Sequence, residues 1–150
     1  MKMVLTNEKD VRFLNLVEEL DYGYYLRIGD ELEKYNQYNE FKDPHIVMLM
    51  MDGDEAIACA SYRKFDYQSV EFKRVFVKKE YRKRGIAYKL IKELEKDVIE
   101  NGYKYSYIVT GINNHAAIGL YEKLDYFKTD KFGQFKEDET VLCMKKDFRR

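Results

Sequence analysis

The stretch that decides the fold runs from Val70 to Glu95 and reads VEFKRVFVKKEYRKRGIAYKLIKELE. Its first residues, VEFKRVFV, are rich in β-branched and aromatic side chains and predict a long strand. From Ile86 onward the apolar residues recur at helical spacing and predict a helix. Seven basic residues and one acid lie between Lys73 and Arg84, directly before Gly85. We call residues 78–85 the basic loop.

The basic loop has the composition of an anion site. A helix N-terminus offers N–H groups without helical acceptors and the positive end of the helix dipole. A glycine lets the backbone approach a phosphate closely, and flanking Arg and Lys add charge. These features alone leave open a nucleotide, a sugar phosphate, coenzyme A, or a solvated loop that only caps a helix. No GxGxxG fingerprint and no G-K-[ST] motif supports a dinucleotide or P-loop site.

The residues before the basic loop predict a helical region followed by a hairpin. Asn7 is the expected N-cap of the first helix, with Val11, Leu14, Val17 and Leu20 at helical spacing and with Gly23 and Gly29 expected to bend or break it. After Pro44, residues 45–51 and 56–65 predict two strands around a turn at 52–55. Alternation along the strand 68–77 is expected to place Val70, Phe72, Arg74 and Phe76 on one face and Glu71, Lys73, Val75 and Val77 on the other.

The residues after the basic loop alternate between helix and strand. The helix carries an apolar stripe and is expected to end at Asn101-Gly102; the stripe is Ile86, Leu90, Ile91, Leu94 and Val98. A strand at 103–110, a helix at 113–124 capped by Asn113 or Asn114, and a hairpin of 126–132 with 139–148 follow. This order predicts an α/β or α+β fold in one domain, residues 1–150, with a single mixed, mostly antiparallel sheet flanked by helices.

Composition narrows the class of protein. The chain has 150 residues, is 45% hydrophobic and 15% aromatic, and can bury one core. Its net charge of zero opposes a protein that coats nucleic acid. Cys59 and Cys143 form no C-x-x-C and are expected to be buried thiols, and His45 and His115 lack nearby ligand-type partners, so we expect no metal site. No targeting or membrane-spanning run is evident, and we expect a cytoplasmic protein.

Two motifs make the chain resemble the GNAT superfamily of acyl-CoA-dependent N-acetyltransferases. The first, R/Q-x-x-G-x-G/A after a long strand, falls on Arg82, Gly85 and Ala87, with Lys83, Arg84 and Ile86 between them. The second, N-x-x-A-I-x-L-Y-x-K-L-G-F/Y, falls on Asn114, Ala117, Ile118, Leu120, Tyr121, Lys123, Leu124 and Tyr126. The chain departs from it at Asp125, where the family usually has glycine. The element order agrees over nearly the whole chain.

The resemblance implies the GNAT fold, acetyl-CoA as cosubstrate without a metal, and transfer of an acetyl group to a primary amine. It implies that the amides of the basic loop hold the pyrophosphate and that the strand before it aligns the pantetheine arm. The implied cofactor-binding residues are Val75, Phe76, Val77, Arg82, Lys83, Arg84, Gly85, Ile86, Ala87, Asn114 and Tyr121. For Asn114, capping of a helix, contact with pantetheine, or both remain open.

The resemblance also implies candidate catalytic residues. Tyr121 is the candidate acid for the leaving thiolate, because the pKa of a phenol, about 10, lies close to that of a thiol, about 8.5. The alternative is that Tyr121 is a tyrosine of the core without a catalytic role. Glu71 is the candidate base, expected on the strand face of Val75 and Val77. The alternatives are a surface glutamate that pairs with Lys73 or Arg74, and a relay of the proton through water.

The acceptor is left open by the sequence. An acidic and aromatic helical region would favour a cationic amine, a polyamine or a lysine-bearing peptide; it comprises Asp21, Tyr22, Tyr24, Tyr25, Asp30, Glu31, Glu33, Tyr35 and Tyr38. An ordinary solvated face is the alternative. Lys131 to Phe135 could form a lid or a plain turn. A non-catalytic acyl-CoA-binding module and a nucleic-acid-binding domain remain the other classes, and a homodimer is possible.

Overall fold

The computed structural model describes residues 1–28 and 43–150, with side chains for all of these except 24–28. The described residues form seven strands, three α-helices and two 3₁₀ turns. The strands are β1 Lys2–Asn7, β2 His45–Asp52, β3 Glu55–Lys64, β4 Ser69–Val77, β5 Tyr105–Gly111, β6 Phe127–Thr129 and β7 Val141–Asp147. The helices are α1 Val11–Ile28, α2 Ile86–Glu100 and α3 His115–Lys123, and the 3₁₀ turns are Lys79–Tyr81 and Gly133–Phe135.

The strands form one sheet in the order β1-β2-β3-β4-β5-β7-β6. Only β4 and β5 run parallel, because α2 carries the chain back across the sheet between them; the other described pairs are antiparallel. The prediction of a mixed, mostly antiparallel sheet flanked by helices is therefore confirmed.

The helices cover the two faces of the sheet. We call the face covered by α1 the front face, where Phe13, Leu16, Val17 and Leu20 pack against β2, β3 and β4. We call the opposite face the back face. There the predicted stripe of α2 is buried together with residues of α3 and of the sheet. The hairpin of β2 and β3 and that of β6 and β7 are also as predicted.

The N-terminal prediction is wrong in three respects. Residues 2–7 form an edge strand that the sequence did not reveal, because only its pairing with β2 defines it. Asp10, not Asn7, caps α1: its side chain accepts from the N–H of Arg12 at 2.9 Å. The buried face includes Phe13 and Leu16, whereas Val11 is 67% exposed.

Gly23 does not break α1, since the helix continues to Ile28. A helical glycine is unfavourable by about 1 kcal/mol relative to alanine, which the packing of the first three turns offsets. The predicted bend at Gly29 lies outside the described residues.

A β-bulge overturns the predicted faces of β4. Cys59 pairs with Phe76 but Ser61 pairs with Lys73, so an extra residue lies in β4 between them. Arg74 has a φ of 54°, a left-handed conformation that lets the strand absorb this residue. Because alternation has a period of two, the bulge exchanges the faces beyond it. Val75 and Val77 pack on the back face, and Phe76 lies on the front.

Candidate functional site

The backbone of the basic loop presents N–H groups at the start of α2. Lys83 and Gly85 have φ angles of 65° and 74°, two left-handed residues that reverse the chain before the helix. The first helical hydrogen bond joins the N–H of Lys89 to the carbonyl of Gly85 at 3.1 Å. The N–H groups of residues 86–88 therefore have no acceptor within the helix and are available to an anion.

The arginine side chains of the loop brace it from within. Arg82 Nε donates to the carbonyl of Val77 at 2.9 Å, and its guanidinium lies 5.8 Å from the centroid of the Phe76 ring. Arg84 donates to the carbonyl of Glu80 at 3.3 Å and lies 5.2 Å from the Tyr81 ring. Both arginines tie the loop to its own backbone while their charge remains at the surface.

The strands β4 and β5 diverge beside the loop. Their parallel ladder joins Ser69–Phe72 to Tyr105–Ile108 and then ends, while β4 continues to Val77 and β5 to Gly111. The backbone of residues 73–77 thus lines an opening between the two strands. This opening leads from the basic loop into the middle of the sheet, as an extended arm attached to a bound pyrophosphate would require.

Asn114 directly precedes α3, the helix that follows β5, and Tyr121 lies in the last turn of that helix. The Asn114 side chain accepts from the N–H of Ala117 at 3.2 Å, so the capping role is confirmed. Tyr121 is 7% exposed and lies in the back-face core, with its ring centroid 6.2 Å from that of Tyr126.

Asp125, which stands where the family motif has glycine, adopts a left-handed conformation after the end of α3. It has a φ of 69°, and the N–H of Tyr126 donates to the carbonyl of Tyr121 at 3.0 Å. The N–H of Asp125 donates to the carbonyl of Glu122 at 3.0 Å. This pair of bonds is a Schellman motif, and the contact of Tyr126 with Tyr121 is the apolar contact that accompanies it.

Glu71 lies on the front face and is not a surface residue. It is 1% exposed, and its carboxylate accepts from Arg63 at 2.8 Å with the Lys73 ammonium 4.0 Å away. The pairing with Lys73 is thus present, whereas Arg74 binds Asp21 instead, at 2.6 Å. The expectation that Glu71 shares a face with Val75 and Val77 is wrong, because the bulge at Arg74 separates them.

Two basic groups near Glu71, His45 and Lys73, have lowered pKa values. Burial, and then the charges of Lys73 and Arg63, lowers the pKa of His45 to about 4. His45 Nδ1 lies 3.2 Å from Ser61 Oγ on the same face. Burial is also the main cause that lowers the pKa of Lys73, while the nearby Glu71 carboxylate opposes it.

An aromatic cluster that sequence reasoning missed adjoins Glu71. Phe65, Tyr107 and Phe132 lie with ring centroids 5.0 to 5.1 Å apart. The Lys145 ammonium lies 4.3 Å from the Tyr105 centroid and 5.3 Å from that of Tyr107. These residues come from the ends of β3, β5, β7 and a late loop. No local signal marks them, since only the register of the sheet brings them together.

The segment predicted as a lid or a turn forms a 3₁₀ turn at Gly133–Phe135. Phe135 is buried, and its ring centroid lies 5.7 Å from that of Phe132. Lys131 Nζ donates to the carbonyl of Asp138 at 2.6 Å. The segment is thus packed onto the aromatic cluster at the rim of the front face.

Most of the acidic, tyrosine-rich region lies outside what the structure describes. The residues concerned are Asp30, Glu31, Glu33, Tyr35 and Tyr38, together with the side chains of Tyr24 and Tyr25. Of the two described members, Asp21 binds Arg74 and Tyr22 is exposed.

A buried polar network supports the back face behind Tyr121. The Tyr126 hydroxyl lies 3.2 Å from Glu95 Oε2 and 2.9 Å from Ser106 Oγ, and Lys146 donates to Glu95 at 2.9 Å. Burial raises the pKa of Glu95 and raises that of Tyr126 well above its usual value. The network ties α2, β5 and β7 to the segment that ends α3.

Cys59 and Cys143 are buried free thiols. Residues 1–28 and 43–150 contain no cluster of three His, Cys, Asp or Glu side chains able to hold a metal. Among these same residues, no helix is long and apolar enough to cross a membrane.

Known proteins share both the sequence pattern and the fold. "Probable N-acetyltransferase 14" of Xenopus tropicalis is 28% identical over 97 residues, which are 64% of this chain and 47% of that protein. The chain thus matches less than half of that relative's length. PaiA N-acetyltransferase of Thermoplasma acidophilum, solved in complex with coenzyme A, superposes with a TM-score of 0.74 at 16% identity, covering 99% of this chain and all of that one.

A second solved neighbour carries the acetylated cofactor. It is a GNAT family acetyltransferase from Elizabethkingia anophelis with acetyl-CoA bound, with a TM-score of 0.62 and 20% identity, over 79% of this chain and 83% of that one. At these identities the two structures establish a shared fold. The family model described as Acetyltransferase (GNAT) family matches residues 12–126, well over half of the chain. The protein therefore belongs to the GNAT acetyltransferase family.

Proposed function

We propose that the protein is an acetyl-CoA-dependent N-acetyltransferase that acts on a primary amine. The observation that carries the proposal is the left-handed backbone of Lys83 and Gly85, which directs the first N–H groups of α2 outward beside the opening between β4 and β5. Two neighbours of the same fold were solved with coenzyme A or acetyl-CoA bound. We propose further that residues 1–150 act as one domain.

In this proposal the loop amides from Lys83 to Ala87 bind the pyrophosphate, and Arg82 and Arg84 add positive charge. The backbone of Val75, Phe76 and Val77 lines the opening and would align the pantetheine arm as if it were a further strand. Asn114 caps α3 through its side-chain oxygen, and we propose that the same residue also contacts the arm. A thioester held in this way would lie between Glu71 and Tyr121.

The reaction joins the amine nitrogen to the thioester carbonyl carbon and breaks the carbon–sulfur bond. One proton leaves the amine, and one is delivered to the departing thiolate. Tyr121 lies in α3 and in the back-face core, and we assign it as the acid on the strength of its motif position. A phenol is suited to this step because its ordinary pKa of about 10 lies close to that of a thiol, about 8.5.

Glu71 is the proposed base on the front face. Its carboxylate is nearly inaccessible and bound by Arg63, so direct contact with an amine requires displacement of that cation. A water molecule between the amine and Glu71 removes this requirement. Both routes end with a proton on Glu71, while a relay that bypasses Glu71 makes the residue structural.

The acceptor is proposed to be a small-molecule or peptide amine that enters from the front face. The two buried free thiols fit a reducing compartment, and we propose a cytoplasmic location. A non-catalytic acyl-CoA-binding module is the second candidate, favoured by the ion-paired state of Glu71.

Release of coenzyme A, measured with a thiol reagent over a panel of primary amines, tests the proposal. We expect release that depends on an added amine and saturates with acetyl-CoA. Binding of acetyl-CoA without amine-dependent release from any panel member would instead establish the binding module. Absence of acetyl-CoA binding would contradict both.

A further inference from the structure

Four side chains cross the front face in one row. Arg63 pairs with Glu71, Glu71 with Tyr107, and Tyr107 with Lys145, on the neighbouring strands β3, β4, β5 and β7. Residues that pair directly across strands point to the same face. We call these four residues the front row. It places a carboxylate between two cations, with an aromatic ring beside the carboxylate.

The charge of the described side chains around the front row is positive. Arg63 binds both Glu71 and Asp43, at 2.8 and 3.1 Å, and Lys73 adds a third charge near Glu71. The carboxylates of Glu71 and Asp43 are thus both paired with cations. Lys145 lies over the rings of Tyr105 and Tyr107, and among the described residues no carboxylate comes within ion-pair distance of it. Its positive charge is therefore available to a ligand.

The spacing of the row matches a small bifunctional acceptor. Neighbouring strands lie about 4.8 Å apart, so the backbone positions of Glu71 and Lys145 are separated by roughly 10 Å. Tyr107 lies midway and contacts Phe65 and Phe132. An acceptor whose amine is next to Glu71 would cross the Tyr107 ring and place its distal group near Lys145.

A cation repels a second ammonium group and attracts a carboxylate or phosphate in this position. Resting on the function proposed above, we propose that the acceptor is an amine that carries an anionic group, which Lys145 binds across the ring of Tyr107. The acceptor class is thereby narrowed from amines in general to amino acids or similar amino-anionic compounds. Simple diamines and polyamines are disfavoured.

Three acceptors with one skeleton test the inference. They are benzylamines with a para carboxylate, a para methyl or a para aminomethyl group, whose distal charge is negative, neutral or positive. The substituent lies across the ring from the reacting amine. For the wild type we expect kcat/KM to be highest for the carboxylate and lowest for the diamine. Release of coenzyme A is the readout.

Variants of Lys145 separate charge recognition from a general effect on the fold. Lys145→Gln should reduce the ratio of kcat/KM for the carboxylate over the methyl compound about tenfold, and Lys145→Arg should retain that ratio. Lys128→Gln is the matched control, because Lys128 is an exposed lysine that pairs with Met144, whose side chain lies on the back face. It should leave the ratio unchanged.

The outcomes distinguish this inference from the function on which it rests. Equal rates for the three amines, a preference for the diamine, or an unchanged ratio in Lys145→Gln would overturn the inference while leaving the acetyltransferase intact. Turnover of other primary amines but of none of these three would likewise overturn the inference alone, whereas binding of acetyl-CoA with no turnover of any primary amine in the wider panel would contradict the proposed function and overturn the inference with it.

Discussion

The basic loop and the front face use positive charge in opposite ways. In the loop, Arg82, Lys83 and Arg84 are exposed, and the binding groups are backbone N–H groups fixed by two left-handed residues. On the front face, Arg63 and Lys73 are partly buried and fix the carboxylate of Glu71. The loop keeps its positive charge at the surface, within reach of an anion from solvent. The front face is built to hold charges in place before any ligand arrives.

The difference has a consequence for function. A backbone site of one loop recognises a phosphate group that all acyl-CoA donors share. A site of side chains from four strands can change its acceptor by a single substitution. Under the proposed function, the loop would bind the donor and the front face would select the acceptor.

The largest expected effect concerns the positive charge of the front face. Burial, Lys73 and Arg63 lower the pKa of His45 from 6.5 to about 4. The folded state thus binds this proton less well than the unfolded chain. His45 therefore costs no stability above pH 6.5, and the free energy of unfolding decreases as the pH falls from 6.5 toward 4. At 1.36 kcal/mol per pKa unit the loss is about 3 kcal/mol. Urea unfolding of wild type and His45→Gln at pH 7 and pH 4 measures it.

His45→Gln should lack this part of the pH dependence. If both proteins lose the same free energy of unfolding between the two pH values, the front face does not disfavour an added positive charge at His45. The contrast between the two regions would then lose its electrostatic basis.

The next largest effect concerns Tyr121, the proposed acid for the leaving thiolate. Tyr121→Phe removes the hydroxyl but keeps the ring that packs on Tyr126, so the fold and the donor site should be preserved. We expect kcat to fall about 100-fold, the lower range for a general acid, with the Kd of acetyl-CoA changed less than twofold. Steady-state kinetics and calorimetry measure the two quantities. Unchanged turnover would remove Tyr121 from the mechanism and make it a core tyrosine.

Glu71→Gln tests whether Glu71, on the front face, is the base that accepts the proton of the amine. We expect kcat/KM to fall about tenfold at neutral pH and to recover partly at higher pH, where more of the amine is already deprotonated. The matched control is Glu71→Asp, which retains a carboxylate. A pH profile of Glu71→Gln that parallels wild type at the same rate would show that a water relay bypasses Glu71.

The smallest effect concerns the turn after α3. Asp125 has a φ of 69°, which glycine adopts without steric cost. Asp125→Gly should raise the free energy of unfolding by about 0.5 kcal/mol, because the greater freedom of glycine in the unfolded chain offsets part of the gain. Asp125→Ala should lower it. If glycine destabilises the protein, the Asp125 side chain contributes a contact that outweighs the strain of its backbone.

The sequence predicted the loop well because its determinants are local. Gly85 follows directly on the basic residues, and the stripe from Ile86 to Val98 identifies the helix that they precede. Asn114 caps α3 as its motif position indicates. Each of these features depends on residues within a few positions of one another, so no knowledge of distant pairing is needed.

The front face could not be predicted because its determinants are distant in sequence. The bulge at Arg74 reverses the alternation of β4, and nothing in the composition of 70–77 marks where the extra residue lies. Arg63 and Lys145 meet Glu71 and Tyr107 only through the register of four strands. The edge strand β1 was not predicted for the same reason, since only its pairing with β2 defines it.

The most direct test of the acetyl-CoA site is a calorimetric titration of wild type, Gly85→Ala and Gly85→Glu. A Cβ at Gly85 would meet no atom within 4 Å, so both variants share the cost of a φ of 74° and differ mainly in the added carboxylate. We predict micromolar binding by wild type, modest weakening in Gly85→Ala, and no measurable binding by Gly85→Glu. Equal affinity of wild type and Gly85→Glu, or no binding by wild type, would contradict the assignment of the basic loop to acetyl-CoA.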